Sequence, residues 1–183
     1  MSIKLIISDL DGTLLGADSR VAPQTAAALD RANRAGIRLL VATGRSWGSA
    51  SPLMKQAGVV CDFVLLNGAE CRTSKGALLC ARPLLLRDAR HAVDIVQQHQ
   101  LGFEMNTDRG DFSTDTVLCD TAVPMPQLTI FWSDAPQVRK IFAFSQDTVT
   151  LERARKDLSC LPNVTVTASA PWNLEITAYE AKK

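Results

Sequence analysis

Asp9-Leu10-Asp11-Gly12-Thr13 sets two carboxylates two positions apart at the end of a short apolar run. Residues two apart in an extended strand point the same way, so Asp9 and Asp11 can address one small volume. Carboxylates that close repel, and an oxygen-seeking divalent cation such as magnesium relieves the repulsion. One carboxylate can then act as nucleophile and the other as general acid and base. Gly12 allows a sharp turn that brings backbone amides toward a ligand. A calcium loop is excluded by position: glycine stands fourth rather than sixth, and Arg20 occupies the place of the bidentate glutamate. A purely structural turn is the competing reading, and placement of the pair directly after a strand weighs against it.

Two further stretches repeat that placement. Val41-Ala42-Thr43-Gly44-Arg45-Ser46 runs from a strand end into a helix start, where unpaired amides and the positive end of the helix dipole attract anions. Thr43 adds a hydroxyl donor, and Gly44 allows close approach. Taken alone this is a common turn; beside the Asp pair it reads as a phosphate cradle. Asn67-Gly68-Ala69 reads as a turn that also borders the site.

These residues need parallel strands to bring them together, and the first part of the chain supplies the pattern. Ile3 to Ser8 and Ile37 to Ala42 are apolar runs of the kind buried on both faces of a parallel sheet, and Asp62 to Leu66 is a third strand. Between them, Pro23 opens a helix with Ala28, Leu29, Ala32 and Ala35 as its stripe. A second helix runs from about Ser46 to Ala57, interrupted by Gly48 and Pro52 and ended by Gly58. This β-α-β-α-β order gives an α/β, Rossmann-like parallel sheet.

The pattern then changes to an α+β unit. Glu70 to Arg72 and Ala77 to Leu79 flank a hairpin turn, and a helix spans about Arg87 to His99. Leu128, Ile130 and Trp132 alternate as a strand, as do Val164, Val166 and Ala168, giving a mostly antiparallel sheet with one wet face. Asp147 caps a helix from Thr148 to Cys160. The expected division is 1–81 for the first part of a core, 82–172 for an inserted domain, and 173–183 for a segment returning to the core.

Together the three strand ends resemble the haloacid dehalogenase (HAD) superfamily, and within it the Cof-type sugar-phosphatase subgroup. The matching pieces are D-L-D-G-T-L-L from Asp9 to Leu15, A-T-G-R from Ala42 to Arg45, and N-G-A from Asn67 to Ala69. The resemblance implies a Rossmann-like HAD core with an inserted α+β cap, and a magnesium-dependent phosphatase acting on sugar phosphates or other small phosphate monoesters. Asp9 would attack phosphorus to form an aspartyl-phosphate. Asp11 would protonate the leaving alcohol and then activate water. Thr43 would bind a phosphate oxygen, with Gly44, Arg45 and Asn67 alongside. Magnesium would sit on the Asp9 carboxylate and the Asp11 backbone carbonyl, and Lys183 (alternatively Lys182) aligns as the phosphate-binding lysine.

The family's pattern continues with a Lys-Gly pair and a Gly-Asp-x-x-Asn-Asp loop, which the sequence to Lys183 does not contain. The expectation is therefore a C-terminally truncated member with weakened metal affinity and low activity. Its first strand would become an uncovered edge, open to self-association. A non-catalytic remnant, serving as a phosphate- or metal-binding interaction module, and a phosphomutase remain the alternatives.

Composition limits the remaining classes. Of 183 residues, 46% are hydrophobic and 21% charged, an ordinary globular balance. A net charge of +1 without basic runs argues against a nucleic-acid surface. No apolar stretch has the length to span a bilayer, and the N-terminus lacks a cleavage site. Five cysteines without a C-x-x-C pair read as reduced thiols in a cytoplasmic protein. His91 and His99 read as surface residues, Arg109 as part of a solvated hairpin turn, and Trp132 and Trp172 as packing.

Overall fold

The computed structural model describes residues 3–179 and 181. The described chain falls into two compact units that divide between Ala81 and Arg82.

The first unit is built on β1 (Leu5–Ser8), α1 (Pro23–Arg34), β2 (Arg38–Ala42), α2 (Trp47–Gln56), β3 (Asp62–Leu65), β4 (Glu70–Arg72) and β5 (Leu78–Ala81). Its sheet runs in order β1-β2-β3-β4-β5. The first three strands are parallel, with Ile7 opposite Leu40 and Val41 opposite Phe63; the last two turn back as antiparallel neighbours. Leu39 and Val41 on β2 and Phe63 and Leu65 on β3 are buried, as are Ala50 and Met54 of α2. Pro23 occupies the first turn of α1, where its missing N–H costs nothing. Gly58, at φ +68°, ends α2: its amide bonds the Lys55 carbonyl at 3.0 Å and that of Val59 bonds the Met54 carbonyl at 3.0 Å.

Two expectations for this unit give way. Ile3 to Ser8 is not buried on both faces, because β1 is the edge of the sheet and Leu5 and Ile7 stay 47% and 61% exposed. The stripe on α1 is correspondingly shallow: Leu29 and Ala32 are half-buried, Ala28 and Ala35 are exposed, and the helix buries no residue fully. A helix lying by an edge strand has sheet beneath only part of its face.

The second unit comprises α3 (Leu86–Gln98), β6 (Gly102–Thr107), β7 (Gly110–Ser113), β8 (Val123–Pro124), α4 (Leu128–Ser133), β9 (Val138–Phe144), α5 (Thr148–Leu158), β10 (Val164–Thr167) and β11 (Asn173–Ala178). Its sheet order is β10-β11-β9-β6-β7-β8, antiparallel except for β7 with β8. One face carries Phe103, Met105, Ile141, Ala143, Leu174 and Ile176 into a single core with Ala89, Ala92, Val93 and Val96 of α3 and Leu151, Ala154 and Leu158 of α5. Asp147 caps α5 as expected, its carboxylate accepting from the amides of Val149 and Thr150 at 3.0 and 3.2 Å.

Leu128 to Ser133 is a helix, not a strand. Its apolar contacts come from Leu128, Phe131 and Trp132, spaced three and four apart, while Ile130 is 61% exposed. Six residues of L-T-I-F-W-S satisfy either period, and core packing chose the helix. Asn173 to Ala178, expected to leave for the first unit, is instead β11, an inner strand between β9 and β10. Strand β9 had no sequence signal, because Arg139 and Lys140 interrupt its apolar run.

Candidate active site at the strand ends of the first unit

Leu10 is fully buried, and the loop after β1 hangs from it. The amides of Thr13, Leu14 and Leu15 converge on the Leu10 carbonyl at 3.4, 3.0 and 2.9 Å. Gly12, at φ +71°, makes this turn possible. Asp9 is half-buried directly after β1, while Asp11 is exposed in the turn. Strand alternation ends at Ser8, so the turn rather than the pleat places Asp11.

Asp11 meets the loop after β2. Arg45 Nε donates to its carboxylate oxygens at 2.9 and 3.2 Å, and Nη2 donates at 2.7 Å, a two-pronged guanidinium–carboxylate pair. Arg45 Nη1 donates in turn to Ser49 Oγ at 3.1 Å. Ser49, in the first turn of α2, was passed over by sequence reasoning: Arg45 precedes the helix, so no helical spacing marks the pair.

Thr43 is fully buried. Its amide donates to the Val64 carbonyl at 2.9 Å, and its Oγ1 accepts the Arg45 amide at 3.2 Å. A hydroxyl that accepts one bond keeps its own hydrogen for donation. Gly44 and Ser46 then lead the chain into α2. The loop after β3 is tied to this one by two backbone bonds: Asn67 amide to Thr43 carbonyl at 3.3 Å and Leu66 amide to Arg45 carbonyl at 3.1 Å. Leu66, Asn67 and Gly68 all have positive φ, +53°, +58° and +95°. Such conformations cost energy at a non-glycine residue and persist where surrounding structure enforces them. Asn67 therefore buttresses the Thr43–Arg45 turn.

Three adjacent parallel strands thus bring Asp9 and Asp11, Thr43 to Arg45, and Asn67 to one edge of the sheet, the edge at which open α/β sheets bind ligands. Lys183 and Lys182 lie outside the described residues. Among the described residues no group of three or more His, Cys, Asp or Glu side chains is arranged to hold a metal ion. The oxygens at this edge of a kind that magnesium takes are those of the Asp9 carboxylate and the Asp11 carbonyl. Both are hard oxygens, and magnesium commonly takes one or two protein carboxylates and completes its shell with water and phosphate oxygens, so this donor set fits.

The other singled-out residues have structural partners. His99 Nε2 lies 2.7 Å from Asp157, and Arg109 donates to the Asp134 carboxylate and carbonyl at 3.0 and 2.7 Å. Trp132 packs edge-on to Phe131 and Trp172 edge-on to Phe142. Burial pushes the Cys61 and Cys119 thiols up to about 12, which keeps them protonated and inert.

The sequence profile of the haloacid dehalogenase-like hydrolases matches residues 6–183. The chain belongs to that family. Within it, the chain is 26% identical over 155 residues to an HMP-PP phosphatase of Serratia proteamaculans, an alignment covering 85% of this chain and 56% of that protein. It is 24% identical to the 5-amino-6-(5-phospho-D-ribitylamino)uracil phosphatase YwtE of Bacillus subtilis, covering 99% of this chain and 73% of the relative. The fold matches that of a haloacid dehalogenase-like hydrolase from B. subtilis with a TM-score of 0.88 at 21% identity, over 99% of this chain and 75% of the other. This HAD-like chain therefore spans only part of its relatives' length, a little over half of the Serratia phosphatase.

Proposed function

We propose that this HAD-like chain belongs to a magnesium-dependent phosphatase of small phosphate monoesters, sugar phosphates among them. The observation that carries the reading is the gathering of Asp9, Asp11 and Thr43 on adjacent strand ends in a chain of this family. The names of two relatives as phosphatases support it, and the ribityl phosphate ester in one of those names supports a small polyol-like substrate.

In this reading the Asp9 carboxylate attacks phosphorus as the ester oxygen departs, leaving the phosphoryl group on Asp9. Asp11 supplies the proton that the departing alcohol takes. It then accepts a proton from the water that attacks the aspartyl-phosphate, which releases inorganic phosphate and restores both carboxyl groups. The Thr43 hydroxyl and the amides opening α2 receive the phosphate oxygens, and Lys183, or Lys182, is the lysine that the family resemblance assigns to phosphate. Magnesium, held by the Asp9 carboxylate and Asp11 carbonyl, would supply charge neutralisation for the phosphoryl oxygens. Arg45 holds the Asp11 side chain in one orientation, and Ser49 holds Arg45. The five cysteines as thiols are in keeping with a reducing, cytoplasmic location. Among the described residues no helix is long and apolar enough to cross a membrane.

The test is hydrolysis of p-nitrophenyl phosphate with and without magnesium, with Asp9→Asn measured in parallel. The expected result is magnesium-dependent turnover that falls by about 10³-fold or more in Asp9→Asn, with a phosphorylated Asp9 peptide recovered after acid quench. Turnover equal in the two proteins, or none in folded protein, would leave a non-catalytic phosphate-binding module as the better description.

A further inference from the structure

A groove of about 610 Å³ runs along α2 in the first unit, and none of the candidate catalytic residues lines it. Its floor is apolar: half-buried Trp47 from α2 and exposed Val60 from the turn after it, backed by the buried Met54, Val59 and Phe63. That volume is in the range of small-molecule sites. The floor is rigid. Trp47 packs edge-on to Phe63 with ring centroids 5.2 Å apart, and the Arg72 guanidinium lies 5.9 Å over the Trp47 ring. Gly76, at φ +87°, lets the β4–β5 turn close on that ring: a Cβ there would stand 3.0 Å from Trp47 Cζ2.

The rim is cationic. Lys55, from the last turn of α2, and Lys75, from the β4–β5 turn, both line the groove, with Ser51 and Ser74 as further polar groups. Among the described residues no acidic side chain lines it. Among the described residues neither lysine has an ion-pair partner. The carboxylates nearest in sequence are already engaged: Asp62, nearest Lys55, by Arg38 at 2.5 Å and by the Ser74 amide at 3.0 Å, and Glu70, nearest Lys75, by Arg72. A helix C-terminus ordinarily disfavours an anion. Here the Met54 and Lys55 carbonyls are occupied by the amides of Val59 and Gly58. Cys61 in the lining stays a neutral thiol, because burial raises its pKa.

We infer that this groove is a second binding site, separate from the Asp9 edge, for a small amphipathic anion: a ring or short chain on the apolar floor with its charged group between Lys55 and Lys75. Charge complementarity selects that occupant. A neutral apolar ligand would leave both ammonium groups unused, and a cation would be repelled by them. The inference does not depend on the phosphatase reading.

The test is a titration of the ¹⁵N-labelled chain with 2-naphthoate, read at the Trp47 indole N–H and the amides of Gly58, Ser74 and Lys75. The indoles of Trp132 and Trp172 serve as controls in the same spectrum. The expected result is saturable shifts confined to the groove, about tenfold weaker binding in the Lys55→Gln, Lys75→Gln double variant, and weaker binding of neutral 2-naphthamide. Inorganic phosphate, a ligand for the Asp9 edge, should not displace the probe. Absence of saturable shifts, equal binding of the amide, unchanged affinity in the double variant, or displacement by phosphate would each overturn the assignment.

Discussion

Arg45 grips Asp11 with two nitrogens in a pair that is 32% exposed on the arginine side and 55% on the aspartate side. A pair that open to water contributes about 0–1 kcal/mol to stability, so its importance lies in orientation. Arg45→Lys should therefore leave the midpoint of denaturant unfolding nearly unchanged while lowering p-nitrophenyl phosphate turnover about tenfold, since a lysine cannot reproduce the fork. Thr43 is the opposite case. It is fully buried, and Thr43→Val strips the Arg45 amide of its acceptor; a stability loss of about 1–3 kcal/mol in urea unfolding should follow. Away from the site, the Thr150 hydroxyl and amide together with the Val149 amide hold the Asp147 carboxyl below the usual carboxylate range. A depressed carboxyl stabilises the fold above its unfolded pKa, near 3.8, and loses that contribution as pH falls through the folded value. Asp147→Ala should accordingly lower Tm at pH 7, with the difference from the parent shrinking below about pH 4. Asp147→Ser should recover most of the loss, because serine also caps.

At the scale of elements, the strands that carry chemistry were legible and several others were not. The runs before Asp9 and Thr43 are short, apolar and followed by glycine-bearing turns, so strand and loop both declare themselves locally. Strand β9 hides because Lys140 sits inside it, buried on the sheet face away from the helices. Burial pushes the Lys140 ammonium below its usual range, against the pull of Glu175, Glu104 and Asp111. Asn106, opposite Lys140, donates to Glu104 and Asp111 in the same group. Removing one charge from such a network leaves the others uncompensated, so Lys140→Met should cost about 3–5 kcal/mol despite its added hydrophobicity. Gly102 tests the same face of that sheet, in phase with Glu104 and Asn106. A Cβ there would run into the Phe144 ring on the paired strand, and Gly102→Ala should lower stability by about 1–3 kcal/mol in thermal or urea unfolding.

At the scale of the whole molecule, the two units have different exposures to solvent and to partners. The second unit closes its helices α3 and α5 onto one face of its sheet around a continuous core. The first, among the described residues, leaves β1 with one strand neighbour and with Leu5 and Ile7 exposed. Unpaired edge backbone with apolar side chains is a template for strand pairing between copies. Self-association of the 183-residue chain through this edge would show as concentration-dependent sedimentation that weakens in Ile7→Lys, which sets a charge on that face.

What the sequence determined by itself was everything written in local chemistry: the Asp9–Asp11 turn, the Thr43 and Asn67 loops, the parallel order of the first three strands, and the cap on α5. The turns, loops and cap depend on residue type and spacing over a few positions and need no distant partner, while the parallel order is legible from the β-α-β-α-β alternation, whose crossovers are right-handed. Tertiary structure alone decided three things. It paired Arg45 with Asp11, 34 positions apart. It made L-T-I-F-W-S a helix by offering a core to Leu128, Phe131 and Trp132. It also drew Asn173 to Ala178 between β9 and β10, where backbone pairing on both sides and burial of Leu174 and Ile176 outweighed any local preference. In each case the deciding free energy comes from groups remote in the chain, and short-range periodicity carries no record of them.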